Sequence, residues 1–268
     1  LIEETGENMR LALLQNDSVP LDTEWQFTAL AEVAQHLSGA ANLLVTPELF
    51  MTGYRIPAED MRRLAEPADG PFARRVAALA KDTGVAILYG FPERDGALVY
   101  NSVQVFDGGG NSIARYRKLH LPSAEERAMF KAGDRLVTFE LKGFKVAPLI
   151  CYDVEFPESV RACAGTGADL VIAPTALRKH WAQIAEMMIP VRALENGVFL
   201  AYANQAGSEA DWDYAGLSCI IDPEGQALAR AGDQPAVILA ELDKTQVARA
   251  RALLPYLADA RFKVTGPV

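Results

Sequence analysis

The sequence predicts an α/β protein whose sheets are covered by helices. In both halves of the chain, short runs of Val, Ile and Leu alternate with segments whose apolar residues recur at helical spacing. Hairpin-like strands sit between them, joined by turns rich in Gly and Asn. Half of the 268 residues are hydrophobic, ample for a sizeable core.

Residues 9–15 (MRLALLQ) read as a first strand. Over 25–37, Leu30, Val33, Ala34 and Leu37 share a helical face, and Gly39 ends the helix. Residues 41–46 form a short buried strand with Pro47-Glu48 at its carboxyl end. Residues 72–82 (FARRVAALAKD) make an amphipathic helix followed by Gly84. Residues 85–91 are a strand, with 102–106 its partner or neighbour. Asp107-Gly108-Gly109-Gly110-Asn111 turns the chain into a returning strand at 112–116. Residues 121–134 read as an irregular, charged loop over a site. The apolar run from Phe144 stops at Cys151, and Pro148 within it predicts a bulge or a one-sided ladder. A helix pattern follows at 159–164, then a strand at 169–173. A helix over 182–196 should bend or break at Pro190. Strands at 198–203, 218–221 and 236–242, a last helix within 242–254 and an irregular tail from Pro255 complete the chain. No linker or low-complexity run divides it, so 9–268 reads as a single domain. Residues 1–8, ahead of Met9, read as a remnant or loose tail outside the fold.

A net charge of −9 argues against nucleic acid or an anionic membrane as partner. No apolar run approaches a membrane span, and no signal peptide is visible. Cys151, Cys163 and Cys219 are widely spaced, which is no disulfide framework and points to a reducing cytoplasm. His36, His120 and His180 lack ligand spacing, so no metal is expected. The three glycines 108–110 join two strands and open no helix, so no phosphate-binding loop is expected.

Cys151 lies where a strand meets a tight turn and a helix. A thiol there can be exposed at a sheet's end, beside backbone N–H groups and a helix N-terminus that favour thiolate. The same position also suits a small apolar residue closing a buried strand. A thiol nucleophile needs a base and a charge stabiliser. Glu48, directly after a buried strand and a proline, is held at the sheet's end, or is a solvated turn residue. In Ala114-Arg115-Tyr116-Arg117-Lys118, strand alternation puts Arg115 and Arg117 on one face. Lys118 then points inward with Ala114 and Tyr116, where an ammonium must find a charged partner; a fully solvated basic run is the alternative. Glu125 and Glu126 offer a second carboxylate.

Together, LLVTPELFMTGY around Glu48, YRKLHLP around Lys118 and LICYDVEFPE around Cys151 resemble the three catalytic segments of the nitrilase superfamily, the carbon–nitrogen hydrolases. Further similar stretches are Arg192-Ala193-Leu194-Glu195-Asn196, Ala203-Asn204-Gln205-Ala206-Gly207, and Gly216 with Ser218 ahead of Ile221-Asp222-Pro223-Glu224-Gly225. The resemblance runs from Met9 to about Leu257. It implies a four-layer α-β-β-α sandwich and a homodimer or larger assembly, with no cofactor. It also implies a Cys-Glu-Lys triad: Cys151 as nucleophile, Glu48 as base and acid, and Lys118 holding the oxyanion with the Tyr152 N–H. The family's further glutamate aligns best with Glu126, Glu125 remaining open. Tyr152-Asp153 after the cysteine, rather than Trp-Glu, is similar to the amidase-like Nit branch. The expected reaction is hydrolysis of a small primary amide through a thioester. Nitriles or N-carbamoyl amino acids are the alternatives, and a catalytically silent interaction protein is a further one. Where many of that branch carry Arg, this chain has Glu155, which is expected either to hold an ammonium on the substrate or to serve structurally. Phe50 and Tyr54 are expected to shape an acyl pocket or join the core. Trp212 lies in an acidic, aromatic loop that lines the pocket, an interface or solvent.

Overall fold

The computed structural model describes residues 8–262. The strands in chain order are β1 (Asn8–Gln15), β2 (Leu43–Val45), β3 (Ala86–Asp95), β4 (Leu98–Phe106), β5 (Ser112–Arg117), β6 (Phe139–Leu141), β7 (Phe144–Pro148), β8 (Leu170–Pro174) and β9 (Phe199–Ala203). A two-stranded hairpin, β10 (Ser208–Glu209) and β11 (Trp212–Asp213), precedes β12 (Cys219–Ile221), β13 (Ala227–Arg230) and β14 (Ala236–Asp243). The helices are α1 (Thr23–His36), α2 (Ala58–Leu64), α3 (Pro71–Thr83), α4 (Ala124–Met129), α5 (Pro157–Gly165), α6 (Ile189–Leu194), α7 (Thr245–Leu253) and α8 (Tyr256–Asp259).

Two six-stranded sheets form, in the orders β14-β1-β2-β3-β4-β5 and β13-β12-β9-β8-β7-β6. Successive side chains of a strand face opposite ways, so one strand can feed two cores. In β1, Met9, Leu11 and Leu13 enter the core between the sheets. Ala12 and Leu14 pack instead with Leu30 and Ala34 of α1 and Phe72, Val76 and Leu79 of α3. On the far side, Val160 and Cys163 of α5 and Ile189 and Ala193 of α6 pack with the second sheet. The result is the α-β-β-α layering that the motifs implied. It explains why β8 and β9 are apolar throughout: strands covered on both faces do not alternate in polarity.

The structure departs from the sequence reading at several points. Residues 1–7 of the expected tail lie outside the described residues, but Asn8 opens β1 opposite Asp243. The segment 121–134 is not wholly irregular, because Ser123 caps α4 by accepting the Glu126 N–H at 3.1 Å. The 7-residue α2 was not anticipated; its start at Pro57 has no side-chain cap. The tail beyond Pro255 contains the single turn of α8. Pro148 has β8 on one side only, since β6 ends opposite Val146, so the missing N–H costs no ladder bond. The break expected at Pro190 falls before it, as a π-helical turn over Ile184–Met188 leading into α6.

Candidate active site

The candidate residues sit just beyond the carboxyl ends of strands. Glu48 follows β2, Lys118 follows β5 and Cys151 follows β7, the usual place for a ligand in sheets with parallel central strands. Bonds from the second sheet fix the Glu48 turn. Its N–H donates to the Thr175 carbonyl at 3.4 Å, and its carbonyl accepts from Gln205 Nε2 at 3.1 Å. Gly90 of β3 passes so close that a Cβ there would lie 2.6 Å from Leu49 N and 2.7 Å from Pro47 O.

Alternation along β5 carries past its end. Ala114, Tyr116 and Lys118 are buried, and Lys118 has no exposed area. Its Nζ lies 2.7 Å from Glu48 Oε1, and 3.0 and 3.2 Å from the two carboxylate oxygens of Glu126. Glu48 Oε1 also accepts from Asn101 Nδ2 at 2.7 Å. Glu48 Oε2 is buried and has no hydrogen-bond partner among the described residues. Of the two adjacent glutamates, Glu126 faces inward and also accepts a short hydrogen bond from Tyr54 OH, while Glu125 points to solvent.

Of the three cysteines Cys151 is half-buried, whereas Cys163 and Cys219 are buried. Its φ of +45° is unusual for a residue with a Cβ, and Leu49, beside Glu48, has φ +49°. Strained backbone of this kind persists where the surroundings impose it, and it gathers at functional sites. Cys151 opens a 3₁₀ turn over Cys151–Glu155, and α5 begins only at Pro157.

The electrostatics follow from burial and from these partners. Burial raises the Glu48 carboxyl above the ordinary carboxylate range; Lys118 opposes that shift and Glu126 reinforces it. Burial works to neutralise Lys118, but the charges of Glu48, Glu126 and Cys151 outweigh it and its pKa is raised overall. The cation is therefore permanent at physiological pH. Burial and then repulsion from Glu48 push the Cys151 thiol well above its usual range, against Lys118 and hydrogen bonds from Thr175 and the Ala176 backbone. Desolvation and a carboxylate here oppose the thiolate-favouring influence expected of a helix end, which lies six residues away.

The remaining expected residues divide. Tyr54 is at the site through Glu126, and Trp212 packs on it with ring centroids 5.4 Å apart. Arg55 and Arg178 lie over the Trp212 ring, and Arg55 Nε pairs with Asp211 at 3.1 Å. The buried Glu209 carboxylate ties this hairpin down, accepting from the Tyr54 and Arg55 N–H groups and from Tyr214 OH at 2.8 Å. Phe50, expected to shape a pocket or join the core, is buried in the core with residues of α1 and α3. Glu155 is half-buried, and burial pushes its carboxyl up to about 7, opposed by Lys118 and Arg192. A cleft of about 530 Å³ lined by Arg74, Glu93, Gln104 and Arg115 opens elsewhere, and none of the candidate side chains lines it.

Asn101, Thr175 and Glu209 were missed. Asn101 and Thr175 sit in or beside apolar strands that give no local sign of the turn they meet, and Glu209 reads as one acid in an acidic loop.

On this α-β-β-α scaffold an inward cation lies between two carboxylates, within electrostatic reach of a cysteine at a strained turn. The family model for carbon–nitrogen hydrolases matches residues 10–252, and the chain belongs to that family. It is 44% identical to a Pseudomonas protegens protein described as a hydrolase in the pqqF 5′ region, over 95% of this chain and 90% of that protein. It is 33% identical to an (R)-stereoselective amidase of a Pseudomonas species, covering 96% of this chain and 93% of the other. Among solved structures, a mutant of the Nesterenkonia AN1 amidase, from the nitrilase superfamily, superposes with a TM-score of 0.86 at 33% identity, covering 97% of each chain. Another mutant of that amidase carries the acetamide moiety of fluoroacetamide on its active-site cysteine, with a TM-score of 0.82 at 32% identity, covering 97% of this chain and 96% of that one.

Proposed function

We propose that this protein is an amidase that hydrolyses small primary amides to the acid and ammonia, with Cys151, Glu48 and Lys118 as its catalytic residues. The observation that carries this reading is the buried Lys118 ammonium 2.7 Å from Glu48, whose second oxygen is buried and unpartnered. An unmatched buried acceptor is costly, and the thiol proton of Cys151 or an amide N–H of the substrate satisfies it. Amidase activity in the relatives and the cysteine adduct in a structural neighbour support the same chemistry.

The steps follow from the resting charges. Cys151 starts as a thiol. As sulfur attacks the amide carbon, Glu48 takes the thiol proton, which a carboxylate of raised pKa accepts readily. The carbonyl oxygen becomes an oxyanion held by Lys118 Nζ and the Tyr152 N–H; first-turn N–H groups have no partner within their own helix. Glu48 then protonates the departing nitrogen, the C–N bond breaks, ammonia leaves and a thioester remains on Cys151. Water loses a proton to Glu48 and attacks the thioester, and Cys151 regains its proton as the acid departs. Glu126, bonded to Lys118 and Tyr54, orients the cation.

Glu155 supports a preference for substrates bearing an ammonium, such as amino-acid or cyclic amino carboxamides. Its carbonyl is anchored by Arg192 Nη2 at 2.7 Å, while its carboxyl is half-buried and close enough to feel Lys118 and Glu48. A homodimer is part of this reading. Met187, Val191 and Leu194 form an apolar strip along the π turn and α6, with Met187 68% exposed. A single domain and a reducing, cytoplasmic setting suit a free catalytic thiol.

The test is ammonia release over a panel of amino-acid amides, aliphatic amides, nitriles and N-carbamoyl amino acids, with intact-mass detection of an acyl adduct. Amide turnover with an adduct on Cys151 is expected. Turnover confined to nitriles or carbamoyl compounds would replace the amidase reading, and no adduct on any of them would remove the thioester.

A further inference from the structure

The two halves of the proposed oxyanion site come from different sheets. Lys118 ends β5 in the first, and the Cys151 turn ends β7 in the second. Their spacing must be held to a fraction of an ångström, because a displacement of about 1 Å costs on the order of 100-fold in rate. A group that binds both elements is therefore to be expected, and Asp153 is that group.

Its side chain is fully buried. Oδ2 accepts the Ile150 N–H at 3.1 Å and the Tyr116 hydroxyl at 2.7 Å. Oδ1 accepts the His120 N–H at 2.8 Å and faces His120 Nδ1 at 2.8 Å. These partners fall in a pattern. Ile150 immediately precedes Cys151, while Tyr116 and His120 flank Lys118 two residues before and two after. The Asp153 N–H returns to the Ile150 carbonyl at 3.0 Å, so a closed pair of bonds brackets Cys151 and Tyr152 at the point where φ is +45°. His120 stacks on Phe156 at 4.1 Å, which fixes the ring that meets the carboxylate.

We propose that Asp153 is a positioning residue: its one carboxylate sets the distance and orientation of the Cys151 turn relative to Lys118, and so assembles the oxyanion site. An acceptor-only group suits this place, because the Ile150 and His120 N–H groups and the Tyr116 hydroxyl all donate to it, and His120 Nδ1 joins them in the tautomer that carries its proton there. An amide in its place sets an NH2 group against both groups that one carboxylate oxygen now meets, while keeping nearly the same volume. The proposal rests on the roles given above to Lys118 and Cys151. Its test includes a reaction of the thiol that needs no amide substrate, so failure of the amidase reading and failure of this inference are separable.

The experiment compares Asp153→Asn, Tyr116→Phe and the unaltered protein in amide turnover and in alkylation of Cys151 by 2-iodoethanol, which is no amide, across pH, with thermal unfolding as control. For Asp153→Asn, kcat is expected to fall by on the order of 100-fold, with KM changing by less than about 3-fold, and the midpoint of the alkylation pH profile is expected to move. Tyr116→Phe loses one of the four bonds and keeps the ring, and a roughly 5- to 10-fold fall in kcat with a smaller displacement of the same profile is expected. Should Asp153→Asn not fold, Tyr116→Phe decides alone. A lowered unfolding temperature with kcat, KM and the alkylation profile all unchanged would reduce Asp153 to a structural residue and overturn the proposal. If no amide is turned over, a displaced alkylation profile supports the positioning role and an unchanged one removes it.

Discussion

Arg117 and Lys118 are neighbours in the chain, and each holds two carboxylates on opposite faces of the same sheet. Outside, Arg117 Nε meets Glu93 Oε2 at 3.0 Å and Nη2 meets Asp95 at 2.8 Å, while its guanidinium lies 3.7 Å over the Tyr100 ring. Inside, Lys118 meets Glu48 and Glu126. Glu93 and Glu48 are both buried, yet their oxygens differ. Glu93 also accepts from Ser102 at 2.7 Å and lies 3.3 Å from Arg115, so both of its oxygens are engaged. Glu48 has two donors on one oxygen and none on the other. A planar fork that saturates its carboxylate makes a structural clamp. A point charge that leaves an acceptor free makes a centre able to receive a proton. The difference lies in the geometry of the donors more than in the count of charges.

The largest effect that breaks this comparison is loss of the inner cation. Lys118→Met is expected to lower kcat by about 100- to 1,000-fold, since one oxyanion donor is removed. Arg117→Met is expected to leave kcat within about 3-fold while lowering the unfolding temperature, because the buried Glu93 carboxylate keeps Ser102 and Arg115 but loses the guanidinium that meets both of its oxygens. Steady-state kinetics and calorimetry on the two variants check the pair.

Next come the two buried glutamates. Glu48→Gln is expected to remove turnover by about 100- to 10,000-fold, the range supplied by a positioned acid–base group. Its unfolding temperature at neutral pH should not fall as far as that of Glu93→Gln, because Glu48 holds its charge against burial. If Glu93→Gln cost as much rate as Glu48→Gln, the division into clamp and centre would fail.

Glu126→Gln sharpens the comparison at a smaller scale. It keeps a side chain of the same size between Lys118 and Tyr54, and roughly a 10- to 100-fold fall in kcat is expected from a misoriented cation. An unchanged kcat would leave Glu126 as a counter-charge alone.

The smallest effect concerns Glu155, whose carboxyl is pushed up to about 7 by burial. A carboxyl that binds its proton more tightly when folded adds stability that is full below its unfolded pKa of about 4.5 and is lost as pH rises through about 7. Glu155→Gln has no such proton to lose. Its unfolding temperature should therefore fall less than that of the unaltered protein between pH 5 and pH 8, by a degree or two. Parallel melting profiles would show that Glu155 is not held in a desolvated position.

Much of this was legible in the sequence because period and chemistry agreed. Strand alternation offered an inward Lys118 beside Ala114 and Tyr116, with a solvated basic run as the alternative, and the structure has all three buried. The run before Cys151 gave the strand and its stop, and Pro148 indicated the one-sided ladder. The choice of Glu126 over Glu125 was not legible by position, because one residue of loop length decides which side faces inward. It is settled in the fold by Ser123 capping α4 through the Glu126 N–H. Phe50 was left between pocket and core because an aromatic residue near a carboxylate suits both, and only the placement of α1 and α3 puts it in the core. Asn101 and Thr175 act across the sheets, and no spacing along one strand reports a partner on another. The upward push on the Cys151 thiol was not legible, because proximity to a helix start can be seen in a sequence, whereas burial beside Glu48 cannot.

Gly90 carries a consequence for how freely this chain can vary. A methyl group on that residue would meet the main chain of the Glu48 turn at 2.6–2.7 Å, and backbone cannot swing aside as a long side chain can. A saturation library at position 90, sorted for turnover, should return glycine almost alone, although the residue carries no functional group and takes no part in any chemical step. Evolutionary drift at this position is barred by the lack of room for one carbon atom.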